Sequence, residues 1–235
     1  MIRSAPHREP GLPDDLRVVR VDLDFDAPPS DPLFDVLSDD ERDAAARFHR
    51  RADAVRSGAT RSVLRRELGA ELGVAPAVLR FVRTERGRPA LDVAGTPPLD
   101  FNVAHGGDHA LVAWSRLRRV GVDVEPIRPE WDWRPLARTV LGAEDARRIG
   151  SAPEPERAAL FLAVWTAKEA LLKADGRGIA AGLDGFSVLS DEGRPPRVGG
   201  VTVLAGELRR FEARWLRGIP GHAACVAWSA SAGLD

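Results

Sequence analysis

A short strand pattern occurs twice in this chain, and its recurrence limits the possible folds more than any other feature. Val19-Arg20-Val21-Asp22-Leu23-Asp24 returns 101 residues later as Val120-Gly121-Val122-Asp123-Val124-Glu125. In both copies apolar and polar residues alternate, as on a strand with one buried face. The surroundings recur as well. Leu37-Ser38-Asp39-Asp40-Glu41 places an N-cap and acids at a helix start, and Leu141-Gly142-Ala143-Glu144-Asp145 starts a helix in the second copy. A helical pattern over residues 52–69 is answered by a longer one over 156–174, residues 79–82 by 186–188, and 111–115 by 225–229. A strand at 78–84, a turn at Gly87-Arg88-Pro89 and an extended segment over 99–114 complete the first copy. The expected fold class is therefore α+β: two similar α/β subdomains related by a pseudo-twofold axis, residues 16–118 and 119–235. Residues 1–15, rich in Pro, Arg and Gly, are expected to form a flexible tail. The cleft between the halves is the default place for a ligand.

Composition narrows the function classes. At 235 residues, with 44% hydrophobic and 29% charged residues, the chain suits a folded globular protein. A net charge of −1 gives no bulk reason to bind nucleic acid. The longest apolar run, residues 158–167, is half of the ~20 residues a membrane span needs, and the first thirty residues lack a signal-peptide core. Cys225 is the one cysteine, which excludes an internal disulfide and a thiolate zinc site and fits a reducing, cytoplasmic setting. Of 34 basic residues only Lys168 and Lys173 are lysines. Where coding bias presses toward Arg, a retained Lys marks a position at which a compact ammonium differs from a planar fork.

Four segments carry candidate chemistry. Asp123 and Glu125 are two apart on a strand, so both carboxylates leave the same face and can meet one hard cation such as Mg²⁺; the pattern equally fits solvated acids at a strand end. In the helix Phe161-Leu162-Ala163-Val164-Trp165-Thr166-Ala167-Lys168-Glu169-Ala170-Leu171-Leu172-Lys173, residues Trp165, Glu169 and Lys173 share a stripe. An ordinary solvated Glu–Lys pair would share that spacing. Asn102-Val103-Ala104-His105-Gly106-Gly107-Asp108 is a polar break whose small residues admit close approach by a ligand, and Asp175-Gly176-Arg177-Gly178 reads as a helix end. P-loop, dinucleotide-fold, H-E-x-x-H and G-x-S-x-G signatures are all missing.

Taken in order, FNVAHGGDHALVAWS, VGVDVEPIRP and FLAVWTAKEALLKADGRGI resemble the 4'-phosphopantetheinyl transferase superfamily, in the Sfp-type arrangement of two pseudo-symmetric halves with the active site in the cleft between them. The resemblance covers most of the chain. It implies transfer of the phosphopantetheine arm of coenzyme A, the co-substrate, to a serine of an apo acyl or peptidyl carrier protein, with release of 3',5'-ADP. It also implies Asp123, Glu125 and Glu169 as ligands of Mg²⁺, for which Mn²⁺ can substitute. Lys173 matches the lysine at the pyrophosphate, His105 a histidine near the 3'-phosphate, and Arg56, Ser57 and Arg88 positions at the nucleotide end. Glu169 is the first candidate for the base, directly or through a water, with Asp123 and Lys173 completing the catalytic set. Lys168 matches no clear role. Ala104 stands where relatives often have Ser or Thr. Glu41 and Ala44 stand where some relatives carry basic residues, so that Arg42, Arg51 or other arginines must compensate. One chain supplies both walls of such a cleft, so a monomer suffices, with no nucleic acid or membrane partner. The alternatives are another Mg²⁺-dependent phosphoester or pyrophosphate enzyme and a carrier-docking module without activity.

Overall fold

Strand pairing divides the described backbone between two main antiparallel sheets and a separate hairpin. The computed structural model describes all residues except 86, 93–97, 129, 177–181, 190–206 and 235. In the first half, β1 (Arg3–Pro6), β2 (Arg17–Asp22), β5 (Asp100–Gly106) and β6 (His109–Ser115) form an antiparallel sheet in the order β1-β2-β6-β5. β3 (Phe81–Arg83) and β4 (Pro89–Leu91) make a separate hairpin. In the second half, β7 (Val120–Pro126), β8 (Phe211–Trp215) and β9 (His222–Ser229) form an antiparallel sheet in the order β7-β9-β8. β2 pairs with β6 and β6 with β5, as β7 pairs with β9 and β9 with β8. The helices are α1 (Asp39–Ala46), α2 (Arg51–Leu72), α3 (Ala137–Val140), α4 (Ala143–Ser151) and α5 (Glu154–Asp175).

Two expectations need correction. Residues 1–15 are not a tail: β1 pairs with β2 from Arg3↔Asp22 to Pro6↔Val19. Strand pairing uses backbone amides and needs no apolar residues, so composition hid it. Buried Glu9 ties the segment down, its Oε1 accepting from Arg217 Nε at 2.9 Å and its Oε2 from Arg217 N at 3.0 Å. Residues 186–188 are not a strand either. The amides of Val188 and Leu189 donate to Asp145 Oδ1 at 3.0 and 2.9 Å, so a carboxylate takes the place of a strand neighbour.

Alternation along the strands sorts the core into layers. Val19, Val21, Ala110, Val112 and Trp114 face α2, where Val63, Leu64 and Leu68 meet them. Val18, Leu111 and Ala113 on the opposite face pack against Val120, Val122, Val124 and Val226 of the second sheet. Ala213, Trp215, Cys225 and Ala227 in turn meet Phe161, Val164, Ala167 and Leu171 of α5. A long helix thus covers the outer face of each sheet. None of these helices is long and apolar enough to cross a membrane among the described residues.

Polar side chains join the two sheets edge to edge. Asp100 Oδ2 accepts from Val120 N at 2.7 Å and Asn102 Oδ1 from Val122 N at 3.0 Å. Arg88 reinforces the seam, donating to Asp100 Oδ2, Phe101 O, Val120 O and Lys173 O.

Lys168 accounts for one of the two retained lysines. Fully buried, its Nζ donates to the carbonyls of Val140, Leu183 and Phe186 at 2.7, 2.8 and 2.5 Å and lies 2.8 Å from Asp145 Oδ2. Burial pushes its pKa down, and Asp145 opposes that shift. Three converging carbonyls and a carboxylate suit the rotating donors of an ammonium and not a planar guanidinium. Asp145→Ala leaves that buried ammonium without its counter-charge and is expected to cost about 3–5 kcal/mol in a urea titration. A cost below about 1 kcal/mol would contradict an ionised buried pair.

Candidate active site

The site begins with a glycine. On β7 the valines face the first sheet, so Gly121, Asp123 and Glu125 face the other way. A Cβ on Gly121 would lie 2.1 Å from Ala170 O and 2.5 Å from Ala174 N. The absent side chain lets β7 lie directly on α5. The i+4 stripe of α5 then places Glu169 and Lys173 beside the strand acids.

Three carboxylates and one ammonium share this small volume. Lys173 Nζ donates to Asp123 Oδ1 at 2.6 Å and to Val122 O at 3.3 Å. Asp123 and Glu169 are buried, at 5% and 6% exposure, and each keeps one buried oxygen, Oδ2 and Oε1, without a hydrogen-bond partner. Burial pushes the pKa of both carboxyls up, while Lys173 opposes it. The half-buried Glu125 is pushed up to about 7, first by burial and then by the charges of Asp123 and Glu169. A single ammonium does not neutralise three carboxylates. Oxygen-only donors with orphaned lone pairs in an electron-rich pocket fit a hard divalent cation such as Mg²⁺ or Mn²⁺.

The first half faces this cluster through His105. It is exposed to solvent yet crowded by protein, and desolvation lowers its pKa, with Arg56 and Lys173 acting in the same direction. The charges of His105 and Asp123 also act on each other, so the structure brings the β5 histidine and the β7 acid together across the halves. Arg56 sits close by. It donates to Gly107 O at 3.0 and 3.3 Å, pairs with Asp53 at 2.5 Å and lies over the Phe25 ring. Ser57, next on α2, is half-buried.

Two arginines are engaged elsewhere. Arg51 donates to the carbonyls of Phe25, Asp26 and Ala27 at 3.1, 3.0 and 2.9 Å, bracing a loop. Arg88 is spent on the seam, with four acceptors around its guanidinium. Both guanidiniums are thus held by protein acceptors in this structure. Glu41 has a structural reason too. It closes a capping box with Ser38 and accepts from Arg65 Nε at 2.7 Å, with Arg61 Nε at 3.3 Å. Arg177 and Gly178 lie outside the described residues.

A cavity of about 230 Å³ opens beside the acids, lined by Glu125, Pro126, Arg128, Trp131, Leu162 and Trp165. The aromatics are held from behind by Phe161, whose ring lies 5.0 Å from Trp133, 5.9 Å from Trp131 and 6.0 Å from Trp165. A larger hollow of about 340 Å³ between the loop at 27–37 and helices α1 and α2 is mainly apolar, with Arg42 and Arg51 among its lining residues. None of the three carboxylates reaches it, so the smaller cavity is the one adjoining the chemistry.

Known proteins place this arrangement. Residues 119–227 match a family model described as the 4'-phosphopantetheinyl transferase superfamily, and residues 31–116 match one described as 4'-phosphopantetheinyl transferase, N-terminal. The chain is 36% identical over 170 residues to the 4'-phosphopantetheinyl transferase HetI of Nostoc, covering 72% of each protein. It is 26% identical to a 4'-phosphopantetheinyl transferase of Bacillus subtilis, over 74% of this chain and 76% of the other. It is 44% identical to the 4'-phosphopantetheinyl transferase AcpT of Salmonella typhi over 41% of this chain and 49% of the other. The chain belongs to the 4'-phosphopantetheinyl transferase superfamily, and its enzyme class is that of a 4'-phosphopantetheinyl transferase.

Two outcomes follow from the site's packing and charge. Gly121→Ala drives a methyl group into the backbone of α5 and is expected to lower stability by about 2 kcal/mol or more in a urea titration, with a change below about 0.5 kcal/mol contradicting the contact. The raised pKa of Glu125 fixes a sign. The native state keeps a proton that the unfolded chain releases, so stability falls as pH rises from the unfolded value through about 7. In EDTA the urea midpoint should therefore fall between about pH 5 and about pH 7.5, and Glu125→Gln should flatten that slope. A slope as steep in the variant would remove the assignment.

Proposed function

We propose that this protein transfers the 4'-phosphopantetheine group of coenzyme A to a serine of an apo carrier protein, releasing 3',5'-ADP, with Mg²⁺ held by Asp123, Glu125 and Glu169. The observation that carries the reading is the buried acid cluster beside Lys173, with an unpartnered oxygen on each of Asp123 and Glu169. The proposed architecture is two subdomains about a pseudo-twofold axis, a reading supported by the shared connection order of β2-β6-β5 and β7-β9-β8. Coenzyme A lies in the cleft between them, where His105 and Arg56 approach Lys173 and Asp123. Both walls come from one chain, so a monomer is sufficient, and a cytoplasmic location fits a carrier substrate.

In the reaction, the serine hydroxyl oxygen forms a bond to the β-phosphorus, the bond from that phosphorus to the bridging oxygen breaks, and 3',5'-ADP departs with the electron pair. Bound Mg²⁺ would neutralise charge building on the pyrophosphate. Lys173 offers the same oxygens a point charge with rotating donors. Glu169 takes the serine proton; burial has raised its pKa, which makes its carboxylate a better base than a solvated one. His105 and Arg56 supply donors for the nucleotide phosphates, and the aromatic-lined cavity beside Glu125 gives the apolar pantetheine arm or the incoming carrier loop a wall.

Carrier-dependent release of 3',5'-ADP tests this reading. Glu169→Ala and Asp123→Ala should each lower the rate by about 10²–10⁴-fold while the protein stays folded. Lys173→Arg, although it keeps the charge, should also slow transfer, because a planar fork cannot replace the ammonium between Asp123 and Val122. Near-normal turnover in the Glu169 or Asp123 variant would sink the metal and base assignments. ADP released without a carrier would favour a pyrophosphatase, and coenzyme A binding without release under any carrier would favour a docking module.

A further inference from the structure

Among the described residues, the three-residue group of His, Cys, Asp or Glu whose ligand atoms all lie within 4.8 Å of one another is Asp108, His109 and His222, and not the acid cluster. It stands where the β5–β6 turn of the first half meets the start of β9 in the second. Asp108 Oδ1 lies 3.6 Å from His222 Nε2 and 3.9 Å from His109 Nε2. The two imidazoles cross edge to face with centroids 4.7 Å apart. Both rings are buried, at 9% and 5% side-chain exposure, while Asp108 is open to solvent.

We propose that Nε2 of His109, Nε2 of His222 and Oδ1 of Asp108 form a binding site for a transition-metal dication of the zinc class, tying the two halves together. The outer ring nitrogen of His222 supports it. His222 Nδ1 lies 2.7 Å from Pro220 O, and His109 Nδ1 faces Asp22 Oδ1 at 2.9 Å without a hydrogen bond between them. A metal-bound histidine directs its other nitrogen to a carbonyl or carboxylate, and His222 Nδ1 has such a carbonyl in Pro220 O. Bonds of about 2.0–2.1 Å in a tetrahedral site put ligand atoms roughly 3.3–3.4 Å apart, inside the 3.6 and 3.9 Å that separate Asp108 Oδ1 from the two Nε2 atoms.

Two nitrogens and one oxygen select a borderline-soft ion, in contrast to the all-oxygen set of Asp123, Glu125 and Glu169. A fourth position faces Gly106 O, 3.1 Å from His222 Nε2, or solvent. On binding, the ion takes the place of the proton through which Nε2 bonds that carbonyl, and the proton leaves to solvent. The turn it would grip also holds Gly107, whose carbonyl receives Arg56 and whose Cβ, if present, would lie 2.6 Å from His222 Nε2. The backbone beside His105 is thus ordered by the same contacts.

Cobalt titration of the full-length protein tests the site without reference to its activity. Metal is first stripped with EDTA, and the Asp123→Asn chain is titrated in parallel to remove the oxygen-rich site. The expected result is one Co²⁺ per chain with visible absorption of a nitrogen-ligated, four-coordinate ion, displaced by Zn²⁺ and retained in Asp123→Asn. Asp108→Asn, at an exposed position that the fold does not need, should weaken binding about tenfold or more, and His222→Gln should abolish it. Absence of stoichiometric Co²⁺ binding overturns the proposal, as does binding lost in Asp123→Asn or unchanged in Asp108→Asn.

Discussion

At Gly121 a strand and a helix approach so closely that one methyl group would not fit between them. Everything chemical in the molecule hangs on that contact. It sets Asp123 and Glu125 against Glu169 and Lys173, groups 44 to 50 positions apart in the chain. It also commits two carboxylates to a buried position, where water no longer solvates them. Desolvation raises their pKa, and a single lysine only partly answers the accumulated charge. The fold thereby stores an electrostatic demand for a cation at the place where pyrophosphate chemistry would use one.

The seam between the sheets solves a second problem. β7 has a ladder partner on one edge only, so its other edge would leave amide groups unpaired. Asp100 and Asn102 accept from those amides, and Arg88 donates to the carbonyls nearby. Side chains thus do across the halves what backbone does within them. The first half arrives at the acid cluster in a fixed register, and His105 lies within electrostatic reach of Asp123 and Lys173.

Much of this was legible in the sequence, for reasons that differ by residue. The strand repeat and the i+4 stripe of Glu169 and Lys173 are periodic features, and periodicity survives in one dimension. The two lysines stood out against 32 arginines. Their roles then diverged: Lys173 lies in the site, and Lys168 is a buried staple whose partner Asp145 carries no sequence signal. β1 was hidden because edge pairing asks nothing of side-chain polarity. Residues 186–188 read as a strand because Phe186 and Val188 are apolar, but Asp145 took the amides of Val188 and Leu189. For Arg51 and Arg88 nothing in the sequence signalled the protein carbonyls they hold, since an arginine offers the same five donors to phosphate or to carbonyl oxygens. Gly121 could have been found earlier, as a glycine within an otherwise β-branched strand marks close backbone approach.

If the packing of β7 on α5 builds a site for one hard cation, that cation can be titrated directly. Free Mn²⁺ can be counted by electron paramagnetic resonance as it is titrated into the metal-stripped protein, with and without coenzyme A. The account predicts one bound Mn²⁺ per chain, held more tightly when coenzyme A is present and lost in Glu169→Gln and Asp123→Asn. Failure to bind, or binding that neither substitution weakens, would contradict it.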